Sequence, residues 1–477
     1  MKKYISLWKN LPASAKSSIA FVFSTFFLKG ISFLTTPIFT RIMDPSQYGV
    51  ITNYSSWLSI IEVFALLGLT SAGVLNVGLN DYRASRDKYL SSLLGLSNIA
   101  TVISFGLIAL LKLPFGSDFI LPNNLLVIMF VHLLISPAQI FWMTKQRYEF
   151  KYKASTVVTI GSVVMSQLIS ILFVLNAKSN LGNVKLLATE IGALLFSLPI
   201  YILLLKKGRR YVDFSIWKTV LIFALPLIPH YLAQHVMSSS DKILLKEMVG
   251  EADAGIFGVV ANVGSIAVLF WTAINASLVP ITFDSINRND YTKLKKMISL
   301  ILTGYGFICL SVILIAPEVL IFLAPEEYRG GMYAIPPLVG VSFLNALYNV
   351  YANVEFYYKK STQIARATVI ATVANLVLNL LLIPIGSYIG SAYATLISNI
   401  LLILMHYMGY RKCHNRIYND RYIWALSVVI IAFALISNVL YSLPILRFLL
   451  LGAILLTGLL NIKKILGIVK SILKNKA

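Results

Sequence analysis

A lysine lies near the middle of the first long apolar segment of the chain. Lys29 shares a helical face with Ser18, Thr25, Ser32 and Thr36, because these residues recur at spacings of seven, four, three and four. Ionisable groups within membrane-spanning segments are costly and usually face a protein interior or a wet cavity. The polar stripe therefore predicts a water-filled cavity in which the Lys29 ammonium meets a phosphate as a point charge. The alternative is a structural pair between Lys29 and a nearby carboxylate.

A carboxylate lies at a similar depth in the second apolar segment. Glu62 shares a face with Thr52, Ser55 and Ser59. Pairing between Glu62 and Lys29 across adjacent helices would give a coupling device, since binding of an ion or proton would release the lysine. A static buried pair is an equal alternative, and it would be evidence of burial only.

The seventh apolar segment combines prolines with several polar residues. His230, Gln234 and Asp241 fall roughly on one face, and His235 lies beside them. We expect Gln234 and His235 at the depth of Lys29, and His230 and Asp241 as candidates for coupling or gating, because histidine titrates near neutral pH. Proline permits the bending that a moving helix needs. The alternative is that both histidines hydrogen-bond to neighbouring helices.

Five further polar residues lie inside apolar segments and give weaker signals. Glu190 and His132 stand in other segments, and Glu355 is close to a pair of lysines, so local pairing is the expected role of Glu355. Asn375 and Asn379 are four residues apart, which favours hydrogen bonds between helices over ligand contact.

The composition sets the class of protein that must position these residues. The chain has 477 residues, of which 58% are hydrophobic and 13% charged. Soluble domains are nearer half apolar and a quarter charged, so lipid must cover much of this surface. We predict an all-α integral membrane protein, since spanning helices satisfy every backbone group internally.

Segments of about 20 mostly apolar residues predict membrane-spanning helices. There are fourteen, at residues 17–40, 48–77, 90–111, 121–144, 154–176, 184–205, 217–240, 254–281, 297–316, 333–358, 367–385, 388–409, 422–441 and 444–462. The first is too long for the apolar core of a signal peptide, and no small-residue cleavage site stands out.

The basic residues predict the orientation of these helices. With both termini on one side, each segment on that side carries three to five Lys and Arg, whereas each loop on the other side carries none to two. This bias predicts cytoplasmic termini in the inner membrane of a bacterium. The basic loops would also attract anionic lipid or gather pyrophosphate headgroups.

No pattern indicates an enzyme, a metal site or a bound cofactor. Gly-rich phosphate loops and HExxH, CxxC and GxSxG patterns are absent from the sequence. The cysteines, Cys309 and Cys413, are expected at different depths, which argues against a disulfide. We expect energy to come from an H⁺ or Na⁺ gradient, the membrane potential or the substrate gradient.

A weak internal repeat predicts two similar halves. The segment that joins the first two helices matches the one that joins helices seven and eight, with Arg41 opposite Lys246 and Gly49 opposite Gly255. Parallel six-helix repeats are a known transporter plan, with the substrate site between the halves. The predicted domains are therefore two six-helix bundles at residues 1–210 and 211–412, followed by two extra helices and a basic tail at 413–477.

Three sequence segments resemble a known family. They are "LTTPIFTRIMDPSQYGV", "LPLIPHYLAQHVMSSSDKILL" and "AGIFGVVANVGSI". They are similar to the polysaccharide-exporter branch of the multidrug/oligosaccharidyl-lipid/polysaccharide superfamily, typified by flippases of O-antigen and capsule repeat units. The resemblance implies a V-shaped pair of bundles that open alternately to either side. It also implies an undecaprenyl-pyrophosphate-linked oligosaccharide as substrate, with the polysaccharide polymerase machinery as a further partner.

Three other functions remain open from the sequence. A drug or metabolite antiporter of the same superfamily typically has twelve helices and an acidic cavity. A flippase of the peptidoglycan precursor would hold several arginines in its cavity, and a membrane polysaccharide polymerase would need a large outer loop. The sequence shows neither feature, so the oligosaccharide flippase is the favoured hypothesis.

Overall fold

The computed structural model describes residues 13–116, 120–413 and 417–460, and the regular elements within these ranges are all helices. The amino-terminal helices are α1 Ala13–Ile42, α2 Pro45–Leu66, α3 Ala72–Asp81, α4 Arg86–Phe115, α5 Asn123–Tyr148, α6 Tyr152–Asn176, α7 Leu181–Gly208 and α8 Phe214–Ala224. The remaining helices are α9 Ile228–Met248, α10 Glu251–Gly264, α11 Ile266–Asn287, α12 Tyr291–Leu323, α13 Ile335–Tyr357, α14 Ser361–Cys413, α15 Asp420–Leu440 and α16 Pro444–Leu460.

The helices have the length and composition of membrane spans. Within the described ranges, ten helical stretches are long and apolar enough to cross a membrane. Each predicted span overlaps a helix, and α14 contains two of them because Gly386 and Ser387 leave the helical conformation. The all-helical membrane class is therefore confirmed, whereas the count of fourteen spans stays a prediction.

The second predicted span is interrupted, which its continuous apolar pattern did not predict. The break between α2 and α3 follows from positive φ angles at Leu67 (51°) and Gly68 (68°). Ser71 then begins α3 by accepting a hydrogen bond from the Val74 N–H. Short turn hydrogen bonds join the Leu69 N–H to the Leu66 carbonyl and the Ser71 N–H to that of Gly68. These bonds satisfy part of the backbone that a broken helix frees, which hydrocarbon could not do.

The chain divides into two compact units at Ser239 and Ser240, within α9. This division reflects contacts, whereas the predicted boundary at residues 210 and 211 reflects the internal repeat. The repeat-based domains stay a prediction.

Small residues bring helices of the first unit close together. On α6 the buried residues include Ser155, Thr159, Ser162, Ser166 and Ser170, which recur every three or four positions. A Cβ on Gly192 of α7 would lie 2.4 Å from the Ser166 Cα, so glycine is required there. The Ser170 and Thr189 hydroxyls, 2.8 Å apart, join the same two helices. Close approach through small residues is how membrane helices gain contact without a hydrophobic driving force.

In the second unit α13 is the central helix and packs against α11, α12, α14 and α15. Its core is aromatic: the Tyr305 ring stacks on Phe343 with centroids 6.1 Å apart, and Trp271 lies 5.1 Å from Tyr305. These aromatic contacts join α11, α12 and α13.

Candidate functional site

Helix α1 presents a polar face around Lys29. The Lys29 and Ser32 side chains are both exposed, and they lie roughly 60° apart around the helix axis. Thr36 is buried and donates its hydroxyl to the Ser32 carbonyl at 2.8 Å. The Ser18 and Thr25 side chains lie outside the part of the chain that the structure describes. Within the predicted stripe, the side chains of Lys29 and Ser32 are therefore exposed, whereas that of Thr36 is buried.

The rest of the α1 surface differs in character. Helix α1 packs on α6, where the Thr35 hydroxyl donates to Gln167 Oε1 at 3.2 Å. Phe23 and Leu34 are 57% and 64% exposed and lie roughly 120–140° from Lys29 around the helix axis. An exposed apolar face suits lipid, whereas the face of Lys29 suits water, since a charge in hydrocarbon is costly.

The predicted pair of Lys29 with Glu62 is wrong for this structure. Among the described residues, no carboxylate lies within ion-pair distance of the Lys29 ammonium. Glu62 is half-buried on α2, which packs against α5, and its ionisable neighbour is His132 of α5. Because α2 packs against α5, Glu62 lies near His132 and not near Lys29.

Glu62, His132 and Glu190 form what we term the amino-terminal acid cluster. His132 Nδ1 lies 2.7 Å from Glu190 Oε2, which joins α5 to α7. Glu190 is 8% exposed, and its Oε1 is a buried oxygen without a hydrogen-bond partner among the described residues. Two carboxyls and one imidazole within a membrane-spanning bundle can share or exchange a proton. The sequence indicates that each of the three residues lies inside an apolar segment. The spacing of these residues along the chain does not indicate that their three helices pack together.

A second cluster surrounds Asp241 of α9. Asp241 Oδ1 accepts from the Asn379 amide and Oδ2 from the Thr395 hydroxyl, both at 2.7 Å. The Asn379 Oδ1 accepts from Ser391 at 2.8 Å, and the Asn375 amide bonds to Thr395 at 3.4 Å. We term these five residues the Asp241 cluster, and all are buried. Asn375 and Asn379 thus bridge α9 and α14, as their helical spacing suggested.

The Asp241 carboxylate is held by neutral hydrogen-bond donors. The hydrogen bonds that reach the Asp241 carboxylate come from a neutral amide and a neutral hydroxyl. A buried carboxylate is costly unless it is paired, neutralised by a proton or bound to a cation. Neither donor carries a charge, so within this cluster the carboxylate has no compensating cation.

The remaining α9 candidates lie before this cluster along the helix. His230, Gln234 and His235 are each half-buried, whereas Asp241 is fully buried. The His235 carbonyl accepts from the Ser238 hydroxyl at 3.1 Å, and the His230 ring lies 5.8 Å from Tyr231. Their proposed substrate and gating roles stay predictions.

The expected pairing of Glu355 with neighbouring lysines is wrong. Glu355 and His406, both fully buried, form a short hydrogen bond that joins α13 to α14. A Cβ on Gly409 would lie 2.0 Å from Glu355 Oε1, so this glycine provides the space that the carboxyl occupies. The partner is 51 residues away in sequence, which no local pattern reveals.

The α1–α2 junction is held by the beginning of α7. The Gly182 N–H donates to Gln47 Oε1 at 2.9 Å, and a Cβ on Gly182 would lie 2.6 Å from the Gln47 carbonyl oxygen. The Lys185 ammonium lies 4.0 Å and 5.2 Å from the ring centroids of Phe39 and Tyr48. Cation–π contact of this kind stabilises a charge that lacks water.

An equivalent contact occurs at the second junction. Ser387, at the break within α14, donates its hydroxyl to Asp253 of α10. Gln47 and Asp253 each precede by two residues the glycines matched in the repeat, Gly49 and Gly255. Duplication of a six-helix unit would produce this equivalence.

The chain also matches known proteins. A family model described as "Polysaccharide biosynthesis protein" matches residues 14–286, which include the α1–α2 junction and the acid cluster. The chain belongs to this polysaccharide biosynthesis protein family. The predicted family resemblance is thereby confirmed.

Individual relatives and solved structures extend this comparison. The chain is 23% identical over 368 residues to an "Uncharacterized membrane protein" of Haemophilus influenzae, covering 75% of this chain and 87% of the relative. It is 21% identical over 407 residues to the "Probable low-salt glycan biosynthesis flippase Agl15" of Haloferax volcanii, covering 82% of each.

The fold is shared with two kinds of membrane transporter. The lipid II flippase MurJ in an inward closed conformation has a TM-score of 0.61 at 14% identity, covering 93% of this chain and 99% of that one. An inward-facing MATE family transporter of the MOP superfamily has a TM-score of 0.59 at 14% identity, covering 82% and 95%. At this identity the likeness establishes the fold.

Proposed function

We propose that this membrane protein flips a lipid-linked oligosaccharide, of the undecaprenyl-pyrophosphate class, between the leaflets of a bacterial inner membrane. The observation that carries the proposal is the exposed Lys29 ammonium on the polar face of α1, in a chain of the polysaccharide biosynthesis family. The relative Agl15 is named as a glycan biosynthesis flippase, and MurJ as a lipid II flippase. One name points to a glycan and the other to a lipid, and the proposed lipid-linked oligosaccharide combines the two.

The chemistry of such a substrate fits the surfaces of α1. A pyrophosphate needs a cation in a wet environment, which Lys29 and Ser32 offer, while a polyprenyl tail needs hydrocarbon. The exposed Phe23 and Leu34 lie on a different side of the same helix. In the proposed cycle the headgroup moves along the polar face while the tail stays in lipid. No covalent step is involved, so the protein acts as a transporter.

We propose that the Asp241 cluster couples transport to an ion gradient. Binding of H⁺ or Na⁺ would neutralise a carboxylate that otherwise lies buried among neutral partners. Asp241, Asn379 and Thr395 belong to α9 and α14, so occupancy of the cluster would change how firmly these helices are held together. The break at Gly386 and Ser387 gives α14 a point at which to bend.

A deletion strain tests the proposed substrate. Surface polysaccharide and the leaflet location of the lipid-linked repeat unit are assayed together. The proposal predicts loss of surface polymer, with the repeat unit trapped on the cytoplasmic leaflet. Normal polymer together with a correctly translocated repeat unit would refute it.

One observation favours a second candidate, a cation antiporter. The amino-terminal acid cluster holds Glu62 and Glu190 with a single imidazole, and acidic groups attract cationic compounds. This candidate predicts normal surface polymer and reduced tolerance of cationic drugs in the deletion strain.

A further inference from the structure

A basic cavity lies at the ends of three helices of the second unit, away from the residues discussed above. It has a volume of about 650 Å³ and is lined by the beginnings of α12 and α15 and the end of α14. Ligand sites of 300–1,000 Å³ are typical of small molecules. The cavity is therefore large enough for a lipid headgroup.

Four cations converge on this cavity from three helices. Lys295 and Lys296 belong to α12, Arg411 to α14 and Arg421 to α15. Arg411 lies 3.5 Å from Asp420, the carboxylate that also lines the cavity. Within the described ranges, Lys295, Lys296 and Arg421 have no ion-pair partner. Three positive charges are thus available to an anion.

Asp420 adds a requirement that a simple anion does not meet. Its side chain lines the cavity beside the cations and is 14% exposed. A ligand hydroxyl that donates to this carboxylate forms a charge-assisted hydrogen bond, whereas a bare phosphate beside it is repelled. A ligand that fits the whole cavity therefore carries a phosphate for the cations and a hydroxyl for Asp420.

The position of the cavity indicates that the phosphate and the hydroxyl belong to a membrane lipid. Helices α12 and α15 have the length and composition of membrane spans, so their ends lie at headgroup level. Tyr422 lines the cavity and is 39% exposed, as aromatic residues at the interface often are. Two turns further along α15, Val428 and Val429 are 62% and 59% exposed and offer an apolar surface to acyl chains.

We infer that this cavity binds the headgroup of an anionic glycerophospholipid that carries a free hydroxyl, such as phosphatidylglycerol. The phosphodiester lies against Lys295, Lys296 and Arg421, and a headgroup hydroxyl donates to the Asp420 carboxylate. Basic pockets between membrane helices bind anionic headgroups in this manner. The lipid stays bound between the beginnings of α12 and α15, and its binding does not depend on the transported substrate.

The test compares two variants of equal charge in the full-length protein. The cavity variant lacks the three cations that have no ion-pair partner and carries the substitutions Lys295→Gln, Lys296→Gln and Arg421→Gln. The matched control, Lys206→Gln/Lys207→Gln/Arg209→Gln, removes two lysines and one arginine that are exposed at the end of α7. Binding of phosphatidylglycerol to detergent-purified protein is measured by native mass spectrometry, with thermal unfolding to show that each variant is folded.

The expected result is affinity about a hundredfold weaker in the cavity variant. Each basic residue near anionic lipid contributes roughly fivefold to affinity, and three residues multiply to about a hundredfold. The control variant keeps wild-type affinity. Equal loss in both variants, or no loss in the cavity variant, would overturn the assignment. Displacement of the lipid by millimolar inorganic phosphate would also overturn it, because the site would then bind any anion.

A second variant keeps the test decisive if the triple substitution prevents folding. Asp420→Asn removes the acceptor charge while all four cations remain. We expect the preference for phosphatidylglycerol over phosphatidic acid, whose phosphate carries no headgroup glycerol, to fall in this variant. An unchanged preference would contradict the role of Asp420. Binding of polyprenyl pyrophosphate without any binding of phosphatidylglycerol would contradict the resident lipid and make the cavity part of the substrate route.

Discussion

Asn379 donates its side-chain amide to Asp241 Oδ1 at 2.7 Å, so a fully buried carboxylate of α9 is held by a neutral residue of α14. The bond joins residues 138 positions apart in sequence. A carboxylate in such surroundings favours a proton or cation, and this relationship is the basis of the proposed coupling.

Replacement of Asp241 by asparagine tests the coupling. Asp241→Asn keeps the size of the side chain and removes its charge, so we expect a folded protein whose transport no longer responds to an imposed Na⁺ or pH gradient. Transport is measured in proteoliposomes with and without each gradient. Ser398→Ala is the control, because Ser398 contacts Asn375 and leaves the carboxylate bonds in place. Gradient-dependent transport by Asp241→Asn at the wild-type level would refute the coupling role.

Lys29 variants test the phosphate contact. Hydrogen bonds to charged groups contribute about 1.5–3 kcal/mol, so we expect Lys29→Ala to reduce export roughly tenfold to a hundredfold at normal protein level. Lys29→Arg keeps the positive charge and is expected to retain more export than Lys29→Ala. Surface polysaccharide per unit of membrane protein is the measurement. Normal export by Lys29→Ala would show that the phosphate lies elsewhere.

The pair of His132 and Glu190 predicts non-additive effects on stability. Removal of either partner leaves a buried polar group unpaired, which costs about 1–3 kcal/mol. Thermal unfolding of Glu190→Ala, His132→Ala and the double variant forms a double-mutant cycle, and we expect an interaction energy of about 0.5–3 kcal/mol. Strictly additive shifts would show that the two side chains do not depend on each other.

Asp213 predicts a pH-dependent contribution to stability outside the membrane-spanning segments. The hydrogen bond from Lys88, whose Nζ lies 2.9 Å from Asp213 Oδ2, holds the pKa of this carboxyl below its usual value. Asp213 also caps α8 by accepting from the Ser215 N–H at 3.1 Å. A lowered pKa in the folded state means that the stabilisation is present above the pKa of the unfolded chain. It is lost as pH falls through the folded-state pKa.

The variant Asp213→Asn measures this contribution. We expect it to unfold at a lower temperature than wild type at pH 7, and the difference to shrink as the pH falls below 4. Asp290→Asn is the control, since Asp290 caps α12 without a lysine partner of this kind among the described contacts. A constant difference between wild type and Asp213→Asn at every pH would contradict the ionic origin.

The sequence predicts the all-helical membrane class because apolar length is a local signal. It does not predict the break after Leu66, since Gly68 lies within a continuous apolar run and its positive φ leaves no pattern. Ser162, Ser166 and Ser170 of α6 recur at helical spacing, a pattern that indicates close packing against another helix.

The candidate site was predicted less well because it depends on contacts between distant helices. The sequence identifies Asp241, but it assigns the partner Asn379 only to helix packing and gives no signal for Thr395. Similar depth in adjacent segments matches Glu62 with Lys29, whereas the fold places His132 near Glu62. Depth can be estimated from position along a segment, but which face meets which neighbour requires the tertiary structure.

The most direct test of the central claim is the leaflet location of the lipid-linked repeat unit in cells that lack this protein. The repeat unit is labelled with a reagent that does not cross the membrane, before and after the wild-type chain is restored. The flippase account predicts little labelling from outside in the deletion strain, and recovery with wild type but not with Lys29→Ala. Equal labelling in all three strains would contradict it.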